Sequence, residues 1–166
     1  GIIKNHGGII DVHSEKGNGC TFNIYLPVTE SEIEERKRKV ESDFRTGDET
    51  ILLVDDEEII IDVGEAMLNK LGYKVLTAES GKEAIEIVRN GHRPDLIILD
   101  MIMPDMGGGE TFDRLKEIAP DLNVLLSSGY SIEGQATEIL ARGCKGFIQK
   151  PFNINEMSGK IREILD

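Results

Sequence analysis

The sequence predicts an α/β fold, a doubly wound five-stranded parallel sheet with helices on both faces. Three observations predict it. Short apolar runs alternate with helical stretches five times between residues 49 and 166. The runs are continuously apolar rather than alternating, as strands covered on both faces are. Polar residues of unusual kind stand where the runs end, and the crevice of a doubly wound sheet opens at the carboxyl ends of its strands.

Residues 1–28 read as a separate opening piece. GGIIDVHSEKGNGCTFNIYLP looks like two short strands joined by a turn, with Ile10, Val12 and Ser14 on one side and Ile9, Asp11 and His13 on the other. Phe22, Ile24 and Leu26 alternate with Asn23 and Tyr25 on the return. Gly17, Asn18 and Gly19 are expected to supply the positive φ of a tight reversal. An isolated hairpin is marginal in water, so this one is expected to lean on another surface. Its unsatisfied edge invites pairing with a second copy of the chain.

Residues 29–48 change character. ESEIEERKRKVESDF is almost all charge, with Ile33, Val40 and Phe44 as its only apolar points. A charged, helical linker with a solvated face is expected.

The predicted sheet domain runs from 49 to 166. ILLV (Ile51 to Val54) is its first strand. Ile59, Val63, Met67 and Leu71 then form an apolar stripe at helical period, and Gly72 stops that helix. Gly64 inside the helix costs about 1 kcal/mol relative to Ala, which close approach of another element would justify. KVLTA (Lys74 to Ala78), LIIL (Leu96 to Leu99), VLL (Val124 to Leu126) and GFI (Gly146 to Ile148) are the next four strands. Ser80 with Glu83, and Asn153 with Glu156, have the spacing of capping boxes that open helices. Strands joined by single helices need right-handed crossovers, which makes the sheet parallel.

Composition removes several function classes. With 39% hydrophobic and 30% charged residues, the chain reads as globular, and no apolar run approaches the roughly 20 residues of a membrane span. No secretory leader is apparent at its start. The net charge of −12 argues against sequence-independent nucleic-acid binding. Cys20 and Cys144 lack metal-ligand spacing and read as free thiols in a reducing cytoplasm. His6, His13 and His92 are scattered and read as surface or packing residues.

The chemistry lies in the carboxylates. Asp55 and Asp56 directly follow ILLV, and Asp100 directly follows LIIL. If these strands are neighbours, three carboxylates converge. Two unit charges about 4 Å apart repel by roughly 4 kcal/mol at an effective dielectric of 20. A hard divalent cation with oxygen ligands removes that difficulty, and Mg²⁺ suits a few carboxylates with water, with Mn²⁺ as the alternative. Ser128 and Lys150 end two further strands. An ionised Asp100 could then attack a phosphorus atom in line, with Asp55 and Asp56 around the metal, Ser128 donating and Lys150 neutralising charge. Each residue alone has a plain reading as an N-cap, turn or surface residue. Their placement at the ends of different strands of one sheet is what carries the expectation.

LLVDDE, LIILDMIMP, LLSSGY and GFIQKPF resemble the successive signatures of response-regulator receiver domains of two-component signalling, over essentially all of residues 49–166. The separation of Ser128 from Lys150 agrees as well. The resemblance implies the flavodoxin-like strand order 2-1-3-4-5 and Asp100 as phosphoacceptor. It implies Mg²⁺ on Asp56, Asp100 and the Ile102 main-chain carbonyl, with Asp55 acting directly or through water. Ser128 would move to a phosphoryl oxygen, and Phe147 matches the aromatic switch residue, though an ordinary core Phe reads the same way. The Lys150–Pro151 bond resembles one that is cis in the family. Ile102 and Tyr130 occupy the two variable positions that set phosphoryl lifetime, and apolar Ile102 implies a long-lived phosphoryl group.

Residues 1–28 resemble the last helix end and closing hairpin of a histidine-kinase ATP-binding domain. The chain is thus expected to be the C-terminal piece of a hybrid sensor histidine kinase. It would lack the parts that hold ATP, and no DNA-binding domain is expected to follow. It would accept a phosphoryl group without being an independent kinase, in the cytoplasm, with a membrane-anchored parent. The implied donor is a histidine-kinase dimerisation and phosphotransfer domain or a histidine phosphotransfer protein. No nucleic acid or membrane contact by this fragment is implied. The output face would be the receiver's fourth helix, fifth strand and fifth helix; either that face or the hairpin is a candidate homodimer contact.

Two other classes compete. A Mg²⁺-dependent phosphatase with an aspartyl nucleophile usually carries a second Asp two residues on, where this chain has Glu57 after Asp55 and Ile102 after Asp100. A flavin-binding domain needs a small polar phosphate loop after its first strand, and DDEE repels phosphate.

Overall fold

A computed structural model describes residues 2–28, 44–129 and 135–166. Most of the charged linker, and Tyr130, lie outside them. The chain divides into two compact units, Gly1–Lys39 and Val40–Asp166.

The first unit holds a short helix α1 (Ile2–Asn5) and an antiparallel hairpin, β1 (Ile9–Glu15) with β2 (Gly19–Tyr25). The register pairs Ile10 with Ile24, Val12 with Phe22 and Ser14 with Cys20, which places one apolar row on one face. Gly17 and Gly19 take positive φ at the turn, as expected. Asn18 does not. Its main-chain N–H donates to the Glu15 carbonyl at 3.0 Å and its side-chain amide to the Glu15 carboxylate at 3.0 Å, so hydrogen bonding replaces the left-handed conformation there. Every residue of both strands is exposed.

The second unit is the predicted parallel sheet. Its strands are β3 (Thr50–Val54), β4 (Lys74–Ala78), β5 (Leu96–Asp100), β6 (Asn123–Ser128) and β7 (Gly146–Gln149), in spatial order β4-β3-β5-β6-β7. The order within this domain is 2-1-3-4-5, and every pairing is parallel. Between the strands lie α2 (Glu58–Lys70), α3 (Gly81–Arg89), α4 (Gly108–Ile118) and α5 (Gln135–Ala141), and α6 (Ile154–Leu165) closes the domain. Alternation sends Leu52, Val54, Ile97, Leu99, Val124 and Leu126 into one core with Ala84, Ile85 and Val88 of α3, Phe112 and Leu115 of α4, and Ile139 of α5. It sends Ile51, Leu53, Leu96, Ile98, Leu125 and Ile148 into the other with Leu68 of α2 and Met157 and Ile161 of α6. Each fully buried Leu or Ile contributes about 1.5–3 kcal/mol, so the two layers dominate the domain's stability.

The α2 face differs from expectation. Ile61, Gly64 and Leu68 are the buried residues of that helix, while Ile59 and Val63 are 68% and 49% exposed. Gly64 decides this. A Cβ there would fall 2.7 Å from Leu53 Cδ2, so only the glycine face lets the helix settle on β3. Gly72 follows with φ of 93°, the left-handed stop the sequence foretold.

Helix starts follow the caps. Asn153 and Glu156 form a full capping box on α6. At α3, Ser80 accepts from the Glu83 N–H, but the Glu83 carboxylate reaches back to the Glu79 N–H rather than to Ser80.

The linker's described end is not helical. Residues 44–49 run without regular structure and are fixed by backbone bonds, Gly47 N–H to the Leu71 carbonyl at 3.1 Å and Lys74 N–H to the Glu49 carbonyl at 2.9 Å.

Candidate functional site

The site is built at the carboxyl ends of β3, β5, β6 and β7. The ladder carries Asp55 one residue past β3, with its N–H still donating to the Ala78 carbonyl at 3.1 Å. Asp100 is the last residue of β5 and pairs in register with Ser127. Lys150 follows β7 directly, its N–H donating to the Ser128 carbonyl at 2.7 Å. The Lys150–Pro151 peptide is cis.

These positions bring three side chains together. The Lys150 ammonium donates to Asp55 Oδ2 at 2.5 Å and to Asp100 Oδ1 at 2.6 Å. Asp55 and Asp100 are only 2% and 5% exposed, so neither charge is relieved by bulk water. The remaining carboxylate oxygens are held by main-chain donors, Asp55 Oδ1 by the Glu57 N–H at 3.2 Å and Asp100 Oδ2 by the Ile102 N–H at 2.9 Å. Burial pushes the Asp100 carboxyl above its ordinary range, against the pull of Lys150. Burial alone would lower the Lys150 ammonium, but its hydrogen bonds to Asp100 and Asp55 prevail and hold it above the usual lysine range. Two buried carboxylates thus share one cation.

Two of the three expected carboxylates converge. Asp56 is exposed, and no hydrogen bond or ion pair joins its side chain to another described residue. Asp56 stands in a bend between β3 and α2, and of the pair Asp55 is the one that meets Lys150. Among the described residues no group of three His, Cys, Asp or Glu forms a metal cage. The donors still fit a hard divalent ion in kind: two buried carboxylates, Asp55 and Asp100, and an exposed third, Asp56, next to Asp55 in the chain, all oxygen.

Ser128 ends β6 and is buried. Ser127 is a strand residue too, buried, with a hydroxyl that finds no partner among the described residues. Phe147 on β7 is half-buried against the core that contains Leu126. Ile102 is 56% exposed at the mouth of the site. Sequence reasoning missed Gly108, the first residue of α4. A Cβ there would fall 2.4 Å from the Asp100 carbonyl oxygen and 2.8 Å from Met101 Cα, so the close approach of α4 to the end of β5 requires glycine. The run GGG at 107–109 was the available signal.

Comparison with known proteins decides the family. The model of the response regulator receiver domain matches residues 51–162. The chain belongs to the response regulator receiver family. Chemotaxis protein CheY4 of Vibrio cholerae is similar in structure, with a TM-score of 0.67 and 28% identity over 72% of this chain and 100% of that one. The CheX–CheY–BeF3–Mg²⁺ complex from Borrelia burgdorferi aligns with a TM-score of 0.64 and 25% identity over 68% of this chain and 85% of that one. Sensor kinase CckA of Brucella abortus is 34% identical over 100% of this chain and 18% of its own length. This chain spans only 18% to 21% of the first sensor kinases it matches. The receiver is thus a two-component signalling domain, and the phosphatase alternative finds no support. Among the described residues no helix is long and apolar enough to cross a membrane.

Proposed function

We propose that Asp100 accepts a phosphoryl group from a phosphohistidine and that the receiver passes this state on within a phosphorelay. The observation that carries the reading is the Lys150 ammonium joined to both Asp55 and Asp100 at the ends of three different strands. An Asp100 carboxylate oxygen attacks the phosphorus in line. The new O–P bond forms as the N–P bond of the donor breaks, and its electron pair leaves with the imidazole, which takes up a proton. Lys150 neutralises charge on the transferred oxygens, and Ser128 donates its hydroxyl to one of them. The main-chain N–H of Ile102 keeps the second Asp100 oxygen turned inward and so fixes which oxygen attacks.

Asp55, Asp56, Asp100 and the Ile102 carbonyl are the groups that would hold Mg²⁺, an ion present in the structure of the Borrelia relative. Bound there, the ion supplies positive charge against the phosphoryl oxygens. Phe147, beside Leu126 two residues before Ser128 on β6, changes its burial as Ser128 moves and alters the face made by α5, β7 and α6. Ile102 offers no polar group to position water, so the phosphoryl group lasts minutes or longer.

The donor is a histidine-kinase phosphotransfer domain or a histidine phosphotransfer protein. Exposed Ile59 and Val63, just after Asp55, and Ile102, just after Asp100, give it an apolar rim to dock on. Residues 1–28 read as the closing hairpin of a kinase ATP-binding domain, 29–48 as the linker and 49–166 as the receiver. The alignment with a sensor kinase along the whole chain supports that order. On this reading the chain works in the cytoplasm.

The test is incubation with Mg²⁺ and acetyl phosphate followed by intact-mass measurement. Wild type should gain one phosphoryl group and Asp100→Asn none. No gain in wild type would sink the reading.

A further inference from the structure

We infer that residues 44–49 form a strap on α6 that phosphorylation loosens, carrying the state of the site to the chain that precedes the receiver. The inference rests on the function proposed above.

The strap lies at the amino end of the sheet, opposite the site, and is held mainly by α6. Ser158, buried on α6, grips the backbone of Arg45 in both directions: its hydroxyl accepts from the Arg45 N–H at 3.1 Å and donates to the Arg45 carbonyl at 2.8 Å. Arg162, one turn on and nearly buried, pairs with Glu49 and lies 5.7 Å over the Tyr73 ring. Burial raises the Glu49 carboxyl, but the Arg162 hydrogen bond and charge, with main-chain donors, hold it below the ordinary range. Asp166 at the end of the chain meets both Arg45 and Arg162. Phe44 packs against the core beneath α2 and α6, with the Lys70 ammonium 5.7 Å from its ring centre. Gly72 leaves room for the strap, since a Cβ there would fall 2.6 Å from the Gly47 carbonyl oxygen.

A short covalent route joins this clamp to the site. Lys150, bound to Asp55 and Asp100, stands just ahead of Asn153, the cap of α6. Ser158 and Arg162 lie on the same buried stripe of that helix. A phosphoryl group on Asp100 competes for the oxygen that Lys150 now holds and draws the ammonium toward new oxygens, pulling the start of α6. The Ser158 grip depends on one hydroxyl meeting a donor and an acceptor together, so a small shift of the helix breaks it.

The clamp also carries a cost. One Glu49 oxygen, Arg162 Nε and the Tyr73 hydroxyl are buried there without a partner among the described residues. Buried polar groups left unpaired disfavour the state that contains them, which favours release of the strap.

Amide hydrogen exchange on the whole chain, with and without beryllofluoride and Mg²⁺, tests this. Exchange at Arg45 and Gly47 should quicken about tenfold or more on binding, whereas Asp95, bonded to the Thr50 carbonyl at the same end of the sheet, should not change. Ser158→Ala should quicken Arg45 exchange without ligand and, because coupling is reciprocal, bind beryllofluoride about fivefold tighter. If that variant loses Asp95 protection too, Glu49→Gln, which weakens only the Arg162 pair, takes its place with the same expectation. Binding with unchanged Arg45 and Gly47 exchange overturns the strap alone. Absence of both beryllofluoride binding and phosphoryl uptake overturns the proposed function and the strap with it.

Discussion

Two sheets in this chain are made of similar residues and meet opposite fates. Every residue of β5 is buried, and every residue of β1 and β2 is exposed. Single residues do not separate them: Ile9, Ile10, Val12, Phe22, Ile24 and Tyr25 are as apolar as residues of β5, but they stand among polar ones while Leu96 to Leu99 run unbroken. Pattern and neighbours separate them. β5 has β3 on one side, β6 on the other and helices above and below, whereas the hairpin strands have each other. The receiver carries its own cover. The hairpin supplies an apolar row and a register, which are half of a core.

Substitutions on the two sheets sharpen that contrast. Ile97→Ala removes a side chain that touches the Leu52 and Val124 layer and has no exposure. It should cost about 2–5 kcal/mol, read as a lowered urea midpoint by circular dichroism. Gly108→Ala should come next, at about 1–3 kcal/mol, because the new methyl meets backbone atoms of Asp100 and Met101 that cannot turn away. Its decisive reading is chemical. Displacing the end of β5 should also slow phosphoryl uptake from acetyl phosphate, while Ile97→Ala leaves the rate per folded molecule unchanged. Equal rates in both variants would mean that the approach of α4 matters only for stability.

The same contrast explains what the sequence shows in advance. LIIL and ILLV announce buried parallel strands because covered strands need no polar face, and the polar residues at their ends mark the site as soon as the strands are aligned. Faces and backbone contacts are harder. Ile59 with Val63 and Ile61 with Leu68 both keep helical spacing, and only the approach of Gly64 to Leu53 selects between them. Asp55 and Asp56 are equivalent in composition, yet past the end of β3 the first meets Lys150 and the second is exposed. The strap at 44–49 hides inside a charged run because Ser158 recognises the Arg45 main chain, which every residue possesses.

A smaller effect tests how α6 is set. Asn153 accepts from the N–H groups of Asn155 and Glu156, and Asn153→Ala should cost about 1 kcal/mol through the loss of those bonds. The cap stands between Lys150 and the buried stripe of α6. The variant should therefore also widen the exchange difference between Arg45 and Asp95. A stability loss with Arg45 exchange unaltered would separate the cap from the strap.

The smallest effect belongs to the hairpin. Val12 stands opposite Phe22, and such a cross-strand pair contributes roughly 0.2–1 kcal/mol to local pairing. Because Val12 is about half exposed, Val12→Ala removes little buried surface. The unfolding midpoint of the parallel sheet should move by less than about 0.5 kcal/mol, as for an ordinary surface substitution. The loss should appear instead as faster exchange at amides of β1 and β2. A drop of more than about 1 kcal/mol in the parallel sheet would show that both sheets unfold as one cooperative unit. The apolar row of the hairpin would then contribute to the receiver's stability, and the contrast between a self-sufficient sheet and a dependent one would fail.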